Sequence, residues 1–176
     1  MINKILQSET LSVAAYLYAE TRLSKKINAV LLEDERYASD ELVELAEEIL
    51  SSIAANGFAR YIHSAKQKEV YNDFLIELFT SSEQAFNAGP LFRWAANMVK
   101  DDTNLQKRNL HRFFWDSQND KLLLAANVHS LAELRNRVMH GFFVLPPEEN
   151  RKYADSIGTL LIDLHDAGFF SLDAVC

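Results

Sequence analysis

Glycine and proline, the residues that most often interrupt regular secondary structure, are scarce in this sequence. Only five Gly and three Pro are spread over 176 residues, so few breaks are signalled along the chain. The apolar residues recur mostly at steps of three and four rather than alternating, which is the spacing that lines one face of a helix. The sequence therefore predicts an all-α protein.

The first half of the chain contains three segments with this helical spacing. The first covers about residues 8–31 and predicts one long amphipathic helix. The second opens at Ser39 or Asp40, both good N-cap residues, and is expected to end before Gly57. A third helix is expected over about residues 58–79. The predicted core positions of the first two are Leu11, Ala14, Ala15, Tyr18, Ile27, Val30, Leu31, Leu42, Leu45, Ile49 and Ile53.

The second half of the chain shows the same helical spacing, with clearer signals for where helices start and stop. Pro90 suits the first turn of one helix, and Thr103 with Gln106 forms a capping box for another. The last helix is expected to begin within Pro146-Pro147-Glu148-Glu149 and to be stopped by Gly168. Its predicted apolar stripe is Tyr153, Ile157, Leu160, Leu161 and Leu164. The whole pattern predicts a bundle of about six to eight helices.

Length and composition limit the class of protein further. A chain of 176 residues with 48% hydrophobic residues is expected to form one domain over residues 1–176 with its own core. Its single cysteine, Cys176, allows no intrachain disulfide and no thiolate cluster for a metal. No apolar run approaches a membrane span or a secretory signal. We therefore expect a cytoplasmic protein with no membrane contact, no metal and no cofactor.

The net charge of −7 is concentrated in one place. Residues 33–48 hold eight acidic residues and one basic residue, which leaves 17 basic and 17 acidic residues elsewhere. This acidic segment is expected to be a solvated helix face, although it could also repel RNA or receive a basic partner. Basic clusters elsewhere in the chain could still bind phosphates.

A short helix, here called the motif helix, is expected over about residues 131–140. Ser130 and Glu133 form a capping box at its start, and Gly141 is a natural C-cap. Its core-facing stripe is predicted to consist of Leu131, Leu134 and Val138. The polar residues left on the remaining surface are Arg135, Asn136, Arg137 and His140.

These polar side chains match the chemistry of RNA cleavage without a metal. Histidine has a pKa near neutrality, so His140 could move the protons of the 2′-hydroxyl and of the leaving group. Arg135 could neutralise the phosphorane charge with its planar, permanently charged fork. Asn136 could bind the phosphate or orient the imidazole, and Arg137 is a possible second cation. On a regular helix Arg135 and His140 lie about 140° apart. Either the helix loosens before Gly141, or two copies of the chain pair across a two-fold axis and combine their motifs in one cleft. We favour the second arrangement.

The stretch from Arg135 to His140, with Asn136 directly after the arginine, resembles the motif of the HEPN superfamily. Members of that superfamily are small helical bundles with an Arg, four to six residues and then a His. The resemblance implies a homodimer that cuts RNA without a metal at its interface, often as a toxin or an antiviral effector. It also implies an antitoxin or regulatory protein as a possible partner.

Two features of the sequence argue against parts of the HEPN interpretation. One toxin subgroup carries a Tyr two residues after the His, which its partner modifies, whereas this chain has Phe142 there. A weaker resemblance is to the mannitol operon repressor family, through Gly89-Pro90-Leu91 and Arg135-Asn136. It implies an all-helical regulator or adaptor without catalysis.

A second basic cluster could bind the RNA backbone beside three aromatic residues that could stack on bases. Its members are Lys107, Arg108, His111 and Arg112, next to Phe113, Phe114 and Trp115. The alternative is that these aromatics belong to the core. Similarly, Arg137 and His140 could do no more than complement the dipole at the end of the motif helix.

Overall fold

The computed structural model describes residues 5–62, 76, 134, 137–139 and 144–170. Four helices are assigned in these parts: α1 (Glu9–Leu17), α2 (Arg22–Leu32), α3 (Ser39–Ile62) and α4 (Pro147–Asp166). Residues 134 and 137–139 are helical as well. The described residues contain no strand, and a single β-bridge joins Ile5 to Asp34. The prediction of an all-α protein is therefore confirmed for this part of the chain.

The expectation of one long helix over residues 8–31 is wrong, because the chain turns between α1 and α2. Tyr18 is the C-cap of α1, and Thr21 is the N-cap of α2, where the backbone is extended with φ −111°. The Thr21 side chain donates a 2.8 Å hydrogen bond to the Tyr18 carbonyl, which offers the backbone an alternative to continuing the helix. The buried residues on either side are Tyr18 and Leu23, and their five-residue separation already departs from the helical spacing.

Helix α3 begins at Ser39, as predicted, but the expected end before Gly57 is wrong. The helix passes through Gly57 and continues to Ile62. A single Gly costs about 1 kcal/mol relative to Ala inside a helix, which the packing of a long helix can offset. The side chain of Asn56 also donates a 3.1 Å hydrogen bond to the Phe169 carbonyl, so this turn of α3 is tied to the end of α4.

Helix α4 has the predicted bounds, and its end is explained by Gly168. Gly168 has φ 65°, a left-handed conformation that glycine adopts without steric cost. The Gly168 and Phe169 amides donate to the carbonyls of His165 and Leu164 at 2.8 and 2.9 Å. This pair of bonds is the Schellman motif, which satisfies carbonyls that the helix itself leaves unpaired.

Helices α1 and α4 approach each other closely at Gly158. A Cβ atom placed on Gly158 would lie 2.4 Å from the Leu11 amide nitrogen and 2.5 Å from the Thr10 carbonyl carbon. The start of α1 is held to the same stretch of α4, because the Ser8 hydroxyl donates to Asp155 Oδ1 at 2.6 Å while accepting from the Leu11 amide. A glycine on α4 therefore lets two backbones touch.

Helices α2 and α3 run antiparallel, as their ion pairs show. Arg22 pairs with Glu48, and Lys26, four residues later on α2, pairs with Glu44, four residues earlier on α3. The buried side chains of all four helices form one core with Leu134 and Val138. Every predicted core position on α3 and α4 is buried: Leu42, Leu45, Ile49, Ile53, Tyr153, Ile157, Leu160, Leu161 and Leu164.

Candidate functional site

The described part of the motif helix has its apolar residues inward, as predicted. Leu134 is fully buried and Val138 is nearly so, whereas Arg137 and Met139 are exposed. Leu134 and Val138 are four residues apart and therefore stack on one face of a helix. The motif helix is thus seated on the same core as α1 to α4.

Most of the predicted site residues lie outside the described residues. These are the three predicted catalytic residues and the second basic cluster: Arg135, Asn136, His140, Lys107, Arg108, His111 and Arg112. Phe142 lies outside them too. Of the predicted RNA-binding cations, Arg137 is the one for which the structure describes contacts.

Arg137 binds a carboxylate at the start of α4. Its Nη1 atom donates a 2.6 Å hydrogen bond to Glu149 Oε2. The Arg137 side chain is 42% exposed and the Glu149 side chain is 35% exposed. Hydrogen bonds to Glu149 and then to Tyr153 raise the pKa of the Arg137 guanidinium, which is charged at neutral pH in any case. The predicted second cation is therefore accessible, but it already holds an anionic partner within its own chain.

Two apolar side chains lie exposed beside the predicted catalytic histidine in sequence. Met139 retains 53% of its exposure and Val144 retains 65%. Both of these side chains are apolar, and the exposed charged side chain of Arg137 lies on the same helix as Met139. The surface around the motif helix is therefore partly apolar and partly charged.

The segment that follows the motif helix is anchored by a buried polar network. The Ser39 hydroxyl accepts from the Leu145 amide at 3.0 Å and donates to Asn150 Oδ1 at 3.0 Å. Asn150 Nδ2 donates to the carbonyls of Glu35 at 2.8 Å and Leu145 at 3.4 Å. Because each buried polar group has a partner, the network connects the start of α3 to the start of α4 without leaving a polar group unsatisfied.

Asn150 was not singled out from the sequence, although a signal for it exists. It lies three and seven residues before Tyr153 and Ile157, which puts a polar residue on the apolar stripe of α4. A polar residue on a core-facing stripe must find hydrogen-bond partners when buried, and Asn150 is fully buried. The pattern could have identified the residue as structural, but not its partners.

The acidic segment 33–48 is less solvated than the sequence suggested. Asp34 and Glu35 are buried, and each binds an arginine. Arg36 binds Asp34 through two nitrogen atoms at 2.9 and 2.6 Å, and Arg151 of α4 donates to Glu35 at 2.6 Å. Together with the pairs of Glu44 and Glu48 on α3, these contacts neutralise much of the local charge.

The described residues contain neither a cluster of metal ligands nor a membrane-spanning helix. No group of three or more His, Cys, Asp or Glu side chains there could hold a metal ion. Nor is any helix among them long and apolar enough to cross a bilayer. His165 and Asp166 lie at the exposed end of α4, with 3.5 Å between His165 Nδ1 and Asp166 Oδ1.

Comparison with known proteins adds no relative to this description. No family model matches the sequence, and neither a curated protein nor a solved structure matches the chain.

Proposed function

We propose that this protein is a metal-independent endoribonuclease of the HEPN type, which acts as a homodimer and cleaves RNA at a site composed of both copies. In this proposal His140 is the general acid and base, Arg135 binds the phosphate, and Asn136 orients the imidazole or the phosphate. Such an enzyme would serve as a toxin or antiviral effector, with an antitoxin or regulatory protein as its partner.

The observation that carries the proposal is the rotation of the motif helix. Leu134 and Val138 are buried while Arg137 and Met139 are exposed. A regular helix turns about 100° per residue. Measured around the helix axis from Leu134, Met139 lies at about 140° and Arg137 at about 300°. The arc between these two exposed residues faces outward.

The same geometry gives the expected directions of the proposed catalytic residues. A regular helix would aim Asn136 at about 200° and His140 at about 240°, both within the outward arc. Arg135 would lie at about 100°, at the margin between the buried and exposed faces. On this expectation Asn136 and His140 share the outward face, where a substrate could reach both. Arg135 is then better placed to act together with the His140 of a neighbouring copy.

This separation favours a homodimer. Arg135 and His140 of one copy are not expected to reach the same phosphate, but a two-fold axis beside the motif helix would bring Arg135 of one copy toward His140 of the other. The exposed side chains of Met139 and Val144 are suited to such a contact, since apolar and aromatic residues are enriched in interface cores.

The proposed reaction needs no group beyond these side chains. His140 accepts the proton of the 2′-hydroxyl, and the 2′-oxygen forms a bond to phosphorus. The bond from phosphorus to the 5′-oxygen breaks, and that oxygen receives a proton from a protonated histidine. Arg135 stabilises the charge that develops on the phosphorane oxygens. The products are a 2′,3′-cyclic phosphate and a 5′-hydroxyl.

Purified protein should therefore cleave RNA in the presence of EDTA and leave 2′,3′-cyclic phosphate ends. Arg135→Ala and His140→Ala should each abolish cleavage while the circular dichroism spectrum and the oligomeric state stay unchanged. Cleavage that persists in both variants would refute the assignment. Absence of cleavage together with a stable complex with another protein would favour the alternative, a non-catalytic regulator or adaptor of the mannitol operon repressor type.

A further inference from the structure

The ion pair between Arg137 and Glu149 joins the motif helix to the first turn of α4. The 2.6 Å distance between Arg137 Nη1 and Glu149 Oε2 is that of a charge-assisted hydrogen bond. A carboxylate and a phosphate offer an arginine similar pairs of oxygen acceptors. Glu149 therefore occupies the position that an RNA phosphate would take on this guanidinium.

The two partners differ in how firmly they are held. The Glu149 amide donates to the Pro146 carbonyl at 2.9 Å, and the next residue, Asn150, is locked in the buried network with Ser39. The carboxylate thus projects from an anchored backbone. Arg137 reaches it with a long side chain that remains 42% exposed, and an exposed ion pair of this kind contributes little to stability. A phosphate could displace it without disturbing the core.

We propose that Glu149 is an intramolecular competitor for RNA: it occupies Arg137 in the free protein and must be displaced before Arg137 can bind a phosphate. This inference rests on the proposed function for its ligand, an RNA backbone. In this inference Glu149 lowers RNA affinity because it holds the guanidinium of Arg137. Removing its charge should therefore tighten binding and add one ionic contact.

The test is RNA binding in the His140→Ala background, so that cleavage does not interfere. A fluorescein-labelled, single-stranded 20-nucleotide RNA of mixed sequence is titrated at several salt concentrations, and anisotropy is measured. Glu149→Gln should tighten binding about fivefold at 0.1 M salt and steepen the slope of log affinity against log salt by about 0.7, as expected for one more phosphate contact.

A matched control separates this competition from a general change of charge. Glu148 is exposed and lies next to Glu149 on α4, so Glu148→Gln removes the same charge from the same turn. It should have a much smaller effect. In a variant that also carries Arg137→Gln, the gain from Glu149→Gln should disappear, because the two residues act on each other.

The inference is overturned if Glu149→Gln leaves affinity unchanged or weaker, if Glu148→Gln matches it, or if the gain survives without Arg137. It is also overturned if no variant binds RNA. Failure of the nuclease proposal would look different: the unaltered protein would not cleave RNA in EDTA, whether or not Glu149→Gln tightened binding.

Discussion

Ser39 and Asn150 lie 111 residues apart in the chain, and the Ser39 hydroxyl donates a 3.0 Å hydrogen bond to Asn150 Oδ1 in the buried interior. Ser39 is the first residue of α3, and Asn150 lies in the first turns of α4. Leu145, which follows the motif helix, binds both of them through its backbone. The starts of two helices and the segment after the motif helix are thus joined at one point.

Replacing Asn150 should therefore be costly. Asn150→Leu keeps a similar side-chain volume but leaves Ser39 and the Glu35 carbonyl without their buried partner. We expect the free energy of unfolding to fall by about 3 kcal/mol, since each unsatisfied buried group costs about 1–3 kcal/mol. Urea denaturation measures this change. Asn28→Leu, at an exposed position on α2, is the control and should shift stability by less than about 0.5 kcal/mol. Equal midpoints for the two variants would contradict the role of the network.

Gly158→Ala should destabilise the protein, although alanine is the better helix former. The added Cβ would lie 2.4 Å from a backbone nitrogen of α1, so the helices must separate. Overpacking of this kind costs about 1–3 kcal/mol, which exceeds the gain of about 1 kcal/mol in helix propensity. Thermal unfolding of Gly158→Ala and of Ser156→Ala, two residues earlier on α4, provides the comparison. The contact is not as close as described if Gly158→Ala raises the melting temperature.

Tyr18→Phe should remove one buried hydrogen bond and little else. The Tyr18 hydroxyl donates to the Leu161 carbonyl at 2.9 Å, and burial raises the pKa of the Tyr18 phenol above its ordinary value of 10.0. We expect a loss of about 1 kcal/mol, which is typical of such a bond. Tyr16 is 83% exposed on the same helix, so Tyr16→Phe is a matched control without a measurable effect. Equal stability of both variants in urea would show that the Tyr18 bond adds nothing.

The pKa of the Asp34 carboxyl is expected to depend on Arg36. Hydrogen bonds from the Arg36 side chain and backbone lower the pKa of Asp34 to about 2 from an ordinary 3.8. Because the folded state favours the charged form, the stabilisation is present above pH 3.8 and is lost as the pH falls through about 2. Arg36→Gln should return the pKa of Asp34 toward 3.8, as followed by carboxyl-carbon NMR. Arg22→Gln, which removes a cation paired with Glu48, should not. An Asp34 pKa near 3.8 in the unaltered protein would refute the assignment.

Subunit mixing tests whether the proposed site is shared between copies. Arg135→Ala and His140→Ala should each lose at least about 100-fold in cleavage rate, given the usual contributions of a proton-transfer group and a charge-stabilising group. When the two variants are unfolded together and refolded as mixed dimers, an intact Arg135 can meet an intact His140 from the other copy. Activity should then recover well above that of either variant alone. If mixing restores nothing although mixed dimers form, Arg135 and His140 act within one chain.

The periodicity of the sequence was sufficient to predict helix α4, the start of α3 and their buried faces. These features depend on local rules: apolar spacing, the preference of Ser and Asp for the start of a helix, and the positive φ of Gly168. The inward placement of Leu134 and Val138 follows from the same spacing. Local rules also failed at two helix ends, since they missed the break between α1 and α2 and wrongly ended α3 before Gly57.

The partners of polar and charged groups depend on the folding of the whole chain. The sequence identified Arg137 as a cation for RNA, but its pairing with Glu149 depends on where α4 begins relative to the motif helix. It assigned Asp34 and Glu35 to a solvated face, whereas the fold buries both beside arginines. The physical reason is range: helix propensity and periodicity act within a few residues, whereas a buried hydrogen bond or ion pair joins groups that only the packed chain brings together.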